Sequence, residues 1–453
     1  MENVYKEYDN ASLNSKRRYA LFMGALGEFI DGYDLIVIGA ALLLLKPAFH
    51  LTATYVGLLG ATAFIGAGVG LFIFGFIVDF QGRRKVYSYN LILFVILAIV
   101  AAFVINSIEL IIVRFLMGFV IGVDIAASMT YLAEVSTRKS RGAYTGALPQ
   151  ITWTFGALAS IIIGLVLLIT VGPVAWRWMF GIAAIPSLIV FIGRQFIPES
   201  PRWLIIKGRY KEAKMSFEEL TGVKITDTQV AELSNIMKSS RPKFREIFRK
   251  DYRKKVIIAY IIVILTPLTG GLASVIEPYV FSSIGLVGNV GSLVDSSFTW
   301  IAGLFGAITA FYLLDKIGRF KIVAISTLGS FIVGLSIAFT ISSHNPALFV
   351  PLFVILGFLT WFGASAFWLL PTEMVPTELR GKSQGIAQGF TRLVVAATTF
   401  IVAYGSVTIG FTATIIIISA TGGLFVGIVA ILSMRSMEPM KKSLENISSE
   451  VID

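Results

Sequence analysis

Twelve apolar stretches, each about 20 residues or longer, occupy most of the chain and leave few folds open to it. They fall near residues 19–45, 52–78, 86–106, 109–133, 143–171 and 178–196. A second set lies near 255–285, 291–314, 322–342, 347–371, 383–409 and 411–433. Each is long enough to cross, as a helix, a hydrocarbon layer about 30 Å thick. The runs are continuous, where the strands of a transmembrane barrel would alternate apolar and polar residues. Charged residues make up 14% of the chain, against about 25% in a soluble domain. The expected fold is an all-α polytopic membrane protein: twelve transmembrane helices in two six-helix bundles joined by a cytoplasmic helical linker. A polar start of about 18 residues precedes the first run, which is too long for a signal-peptide core.

The chain has no cysteine and two histidines, His50 and His344, which excludes a cysteine nucleophile, thiolate metal sites, haem or iron–sulfur ligation and disulfides. No zinc spacing, phosphate-cradling loop or dinucleotide fingerprint occurs, so no cofactor and no metal are expected. A pI near 9.6 is compatible with nucleic acid, but the basic residues sit between the spans, and topology accounts for them. With both termini inside, all but Lys46, Arg114, Arg177 and Arg392 of the 38 Lys and Arg fall in cytoplasmic loops, tails or span ends. The expected organisation is a tail (1–18), an N-terminal bundle (19–196), a linker (197–254), a C-terminal bundle (255–433) and a second tail (434–453). The setting is the cell membrane and the protein is expected as a monomer.

The halves repeat. "DFQGRRK" begins at Asp79 after span 2, and "DKIGRFK" begins at Asp315 after span 8, 236 residues later. Span 4 ends at Glu134 with Arg141-Gly142 seven residues on; span 10 ends at Glu373 with Arg380-Gly381 seven residues on. Parallel six-span repeats build secondary transporters whose solute site lies at the midplane between the halves.

These elements resemble the major facilitator superfamily over essentially the whole chain. "GFIVDFQGRRK" (Gly75, Asp79, Gly82, Arg83, Arg84) looks like its signature loop. "PESPRWL" (Pro198 to Leu204) is similar to the branch holding sugar, phosphate and organic-ion porters. The resemblance implies a cytoplasmic charge network of Asp79, Arg83, Glu134, Arg141, Asp315, Arg319, Glu373 and Arg380 that latches the halves in the outward-open state. Exposed ion pairs are individually weak, so such a network can favour one state and still break in each cycle.

Charges inside the membrane are costly and each needs a reason. Span 1 carries Glu28, Asp31 and Asp34 at i, i+3 spacing along one side of the helix, so at least one is expected to exchange a proton. "GYD" at 32–34 resembles the start of proton-coupled sugar porters, and Arg114 lies where their span-4 arginine does. The resemblance therefore assigns proton coupling to Asp34 with Arg114, and Asp31 or Glu28 shares the load.

The solute is less sharply written. Gln150 and Trp368 resemble the glutamine and the covering tryptophan of sugar porters, but the span-7 glutamines and asparagine are missing from "TPLTGGLASVIEPYVFSS". Asp124, Glu277 and Arg392 resemble charges of phosphate and organic-anion porters, and Gln388 shares the span of Arg392. A guanidinium is a planar fork suited to a carboxylate or phosphate. Arg392 is expected either to hold an anionic group or to be neutralised by Glu277 or Asp124.

The main expectation is a proton-coupled symporter for a small polar solute, an organic or inorganic anion, working by alternating access. Its site would comprise Gln150, Glu277, Trp368, Gln388, Arg392 and Asp124. The alternatives are a proton-coupled sugar porter and a solute receptor that does not transport. An enzyme is not expected, since no nucleophile with its base appears. The implied partners are solute, protons and the bilayer, without nucleic acid.

Overall fold

In the computed structural model, the structure describes residues 13–81, 83–137, 142–230, 253–270, 275–283, 288–342, 348–375 and 379–437; side chains are described there except at 74–87, 142–143, 270, 283, 315, 342, 380–381 and 435–436. The N-terminal half comprises α1 (Ser15–Ala48), α2 (Ala53–Gln81), α3 (Arg83–Phe103), α4 (Ser107–Val135), α5 (Leu148–Val171), α6 (Ala175–Gly181) and α7 (Ala184–Arg194). The linker contains α8 (Pro201–Ile206) and α9 (Tyr210–Thr221). The C-terminal half has α10 (Arg253–Leu265), α11 (Pro267–Gly270), α12 (Glu277–Ser283), α13 (Asn289–Ile317) and α14 (Arg319–Ser342). It continues with α15 (Phe349–Phe367), α16 (Leu370–Glu373), α17 (Arg380–Gly405), α18 (Phe411–Ile418) and α19 (Val426–Met437).

Among the described residues, seven segments are long and apolar enough to cross a membrane. Two of them, Tyr144–Arg194 with 51 residues and Lys382–Met434 with 53, each hold two of the expected spans. The charged α1, the shorter α3 and the interrupted run α10–α12 supply the others, and the count reaches twelve. Span 7 differs from the single run expected over 255–285. It turns at Thr266, because Pro267 has no N–H to continue the ladder and its ring collides with the preceding turn; α12 starts afresh at Glu277.

Lipid tails are as apolar as leucine, so the bundles cohere through close backbone approach. The α2–α4 contact is built from two reciprocal glycine pairs. A methyl on Gly66 or Gly70 would strike the Phe115 or Phe119 carbonyl of α4, and one on Gly118 or Gly122 would strike the Ala63 or Ala67 carbonyl of α2. Gly32 and Gly156 bring α1 and α5 together in the same way. Many buried hydroxyls fold back onto their own helices, as Thr154 does to the Gln150 carbonyl at 2.7 Å and Thr398 to Val394 at 2.8 Å.

In the C-terminal half α15 packs on both α13 and α14, and the halves meet along α2 with α17 and α5 with α13. The linker has a core of its own around Trp203, Leu204, Ala213, Phe217 and Ile225. It is tied to the start of α1 by Lys16 to Glu219 (3.1 Å) and by the Asn14 Nδ2 donating to the Glu219 carbonyl (3.1 Å).

Candidate functional site

A cavity lies between the halves and is lined by residues of both. The N-terminal half lines it with Glu28 and Ile36 of α1, Phe64 of α2, Ile125 and Met129 of α4, and Gln150 and Trp153 of α5. The broken seventh span contributes Thr266, Pro267 and Val275. Thr360, Trp361, Phe367 and Trp368 come from α15 and its end, and Gln388, Thr391 and Arg392 from α17. The break in span 7 therefore places its turn at the cavity wall.

Two kinds of surface meet there. One is aromatic: Trp153 of α5 stacks on Trp361 of α15 with centroids 4.6 Å apart and planes 30° apart, and Trp300 of α13 sits 5.7 Å from Trp361. The stack bridges the two halves. The other is polar. Among the described residues, the side-chain amides of Gln150 and Gln388 make no hydrogen bond to protein, leaving donors and acceptors of both kinds for a solute. Gln388 and Arg392, four residues apart on α17, share a helix face. The Gln384 Nε2 holds the Trp368 carbonyl at 3.0 Å and fixes the turn that presents its indole.

The buried charges sort into separate groups. Arg114 donates through Nη1 to the Asp34 carbonyl oxygen (2.7 Å) and carboxylate (3.1 Å), and both side chains are wholly buried. Asp124 is held bidentately by Arg194, with Nη1 to Oδ1 at 2.6 Å and Nη2 to Oδ2 at 3.0 Å. Arg194, taken from the sequence as a residue of the cytoplasmic span end, is fully buried and turned inward. Glu28 and Asp31 lie in the electrostatic field of Arg392 and of the Asp124–Arg194 pair.

The structure thus brings Gln150, Gln388, Trp368, Arg392 and Glu28 to one cavity. It keeps Asp124 and Glu277 off the cavity wall, against the expectation that both contact solute. Asp124 is occupied by Arg194, and Glu277 is buried beside Thr299 and Asp295 of α13. Neither neutralises Arg392. In the charge network at the linker end, Arg319 clasps Glu373 bidentately at 2.9 and 3.1 Å. Glu134 ends α4 as expected, and the side chains of Asp79, Arg83, Arg141, Asp315 and Arg380 lie outside those described.

Sequence reasoning missed Arg194 and the tryptophans Trp153, Trp300 and Trp361. Helical spacing held a signal for two of them: Trp153 lies three residues after Gln150, and Trp361 seven before Trp368, each on its partner's face.

Comparison with known proteins accords with this geometry. The family model described as "Sugar (and other) transporter" matches residues 20–450. The chain is 30% identical over 380 residues to the arabinose-proton symporter of Bacillus subtilis, covering 81% of this chain and 80% of that one. It is 30% identical over 379 residues to the glucose transporter GlcP of Staphylococcus epidermidis, covering 82% and 83%. Its fold matches the proton:xylose symporter XylE of E. coli, solved with 6-bromo-6-deoxy-D-glucose. There the TM-score is 0.80 at 22% identity, over 96% of this chain and 99% of that one. These relatives lend no support to the expectation of a free anion as solute and fit the sugar alternative better. With this fold, this cavity and a match across nearly its whole length, the chain belongs to the sugar (and other) transporter family, a multi-pass membrane transporter of the major facilitator superfamily.

Proposed function

We propose that the protein is a proton-coupled symporter for a sugar or sugar-like polyol. The observation that carries the reading is the combination of a cavity between the halves, lined by amides free of protein partners, and a fully buried Asp34–Arg114 pair on α1 and α4, two helices that also line it. Glu28 and Ile36 of α1 line the cavity, and Asp34 lies one half-turn before Ile36. Gln150 and Gln388 offer amides to hydroxyl groups, and the Trp368 indole offers a flat face to the apolar side of a ring. The arabinose and xylose symporters among its relatives are coupled to protons by name.

The proposed cycle uses the pair as a switch. While Arg114 holds Asp34 the carboxylate stays ionised; a shift of α1 or α4 on solute binding withdraws the guanidinium, and Asp34 accepts a proton. Glu28 and Asp31, on the same side of α1, share the proton pathway. The halves then rock around the cavity, and the Arg319–Glu373 clasp breaks and re-forms at the linker end.

Uptake into proteoliposomes under an inward proton gradient tests this. The wild type concentrates labelled sugar and loses that ability on adding a protonophore. Asp34→Asn loses accumulation and keeps sugar-for-sugar counterflow. Accumulation by Asp34→Asn equal to that of the wild type overturns the assignment of the proton to this pair.

A further inference from the structure

Five arginines among the described residues are buried: Arg17, Arg114, Arg194, Arg319 and Arg392. Four have protein acceptors. Arg17 donates to the Val135 carbonyl at 2.6 Å, and Arg114, Arg194 and Arg319 hold Asp34, Asp124 and Glu373. Arg392 makes no hydrogen bond and has no carboxylate within 4.0 Å among the described residues, although it is only 6% exposed. Its Nε is sealed from solvent without an acceptor. The groups that flank its guanidinium are aromatic faces, Phe64 at 5.9 Å and Trp368 at 6.0 Å. Its nearest electrostatic partners, Glu28 and Asp31, act on it without touching it.

A guanidinium cannot shed its proton to escape burial, and a buried charge without a partner is strongly unfavourable. At the other four buried arginines protein acceptors meet that need. At Arg392 the open side is the cavity itself. The partner is therefore expected to arrive with the solute.

We propose that Arg392 is a carboxylate subsite and that the solute is a sugar acid, a polyhydroxy ring or chain bearing one carboxylate, such as a hexuronate or an aldonate. This deepens the sugar reading above and rests on it. The planar fork of Arg392 takes both carboxylate oxygens. Gln388, one turn back along α17, and Gln150 across the cavity address hydroxyls, and Trp368 covers the ring. A carboxylate fits better than a phosphate ester. Among the described residues no second cation lines the cavity, and Glu28, which does, would repel a doubly charged group.

The test is competition in proteoliposomes holding the full chain under an inward proton gradient. Labelled D-glucose and labelled D-glucuronate are each challenged with unlabelled D-glucose, D-glucuronate and D-gluconate. In the wild type the acids are expected to compete at least about tenfold more strongly than glucose, the scale of one charge-assisted hydrogen-bonded pair. In Arg392→Gln the acid-to-neutral selectivity falls at least about tenfold. Arg392→Lys, which keeps the charge and loses the fork, falls between the two. Equal competition by acids and glucose in the wild type overturns the subsite and leaves the sugar reading standing. So does a selectivity unchanged in Arg392→Gln. If Arg392→Gln fails to reach the membrane, Arg392→Lys decides alone: a lowered selectivity supports the subsite and an unchanged one overturns it. Absence of uptake of either solute by the wild type overturns the sugar reading, and the subsite falls with it.

Discussion

Replacing Asp124 separates the solute-ligand role expected from its sequence position from the role of strut within the bundle that its pairing with Arg194 gives it. The carboxylate makes two contacts with Arg194, 2.6 and 3.0 Å long, and both residues are buried. Asp124→Asn keeps the shape and removes the charge, leaving the Arg194 guanidinium buried against a neutral amide. Breaking a buried pair from one side costs about 3–5 kcal/mol. A domain the size of this bundle loses about 2–4 °C of melting temperature per kcal/mol, so Tm should fall by about 6–20 °C. The chain has no cysteine for thiol-reactive dyes, but its seven tryptophans make intrinsic fluorescence a direct probe of unfolding in detergent.

The KM for sugar uptake by the surviving protein should stay within about twofold, because Asp124 does not line the cavity. A double variant, Asp124→Leu with Arg194→Met, should recover most of the lost Tm, since an apolar pair of similar volume replaces a buried ion pair at little cost. Gly27→Ala should behave like the single variant, because its methyl would occupy the space of the Arg194 Nη2 and Asp124 Oδ2 atoms. A Tm change in Asp124→Asn below about 2 °C, accompanied by a KM raised tenfold or more, would refute the strut and return Asp124 to the solute.

Two further outcomes follow from the packing. Gly118→Val drives a branched side chain into the Ala63 carbonyl across the α2–α4 contact and should cost at least about 1–3 kcal/mol; tryptophan-monitored melting checks it, and an unchanged Tm would mean the helices are not in this register. Glu277→Gln should leave the KM within about twofold, because its carboxyl faces Thr299 and Asp295 away from the cavity; a tenfold rise measured by uptake would place Glu277 on the solute.

Much of the architecture was legible because each span is a local property. A run such as "AFIGAGVGLFIF" has to leave water whatever surrounds it, and twelve such runs fix the class of fold. The repeat of "DFQGRRK" and "DKIGRFK" announced two related halves, and motif spacing singled out Gln150, Trp368 and Arg392, which the structure gathers at one cavity with Gln388 of the same span as Arg392. The break in span 7 was less visible, although Pro267 marked it, because the surrounding residues are apolar enough to read as one run.

What the sequence by itself determined, then, is which segments enter the membrane, that they come as two sixes, and which helices carry charge into it. Only the tertiary structure decided the partners. Arg194 reaches Asp124 seventy residues back in the chain, and Trp153, Trp300 and Trp361 converge from three helices. Arg392 is left facing a cavity, with Asp124 held by Arg194 and Glu277 off the cavity wall. Partner choice depends on how far each helix is rotated and how closely it approaches its neighbour. Contacts such as Gly66 with Phe115 and Gly118 with Ala63 set both, at a precision that hydropathy and spacing do not encode.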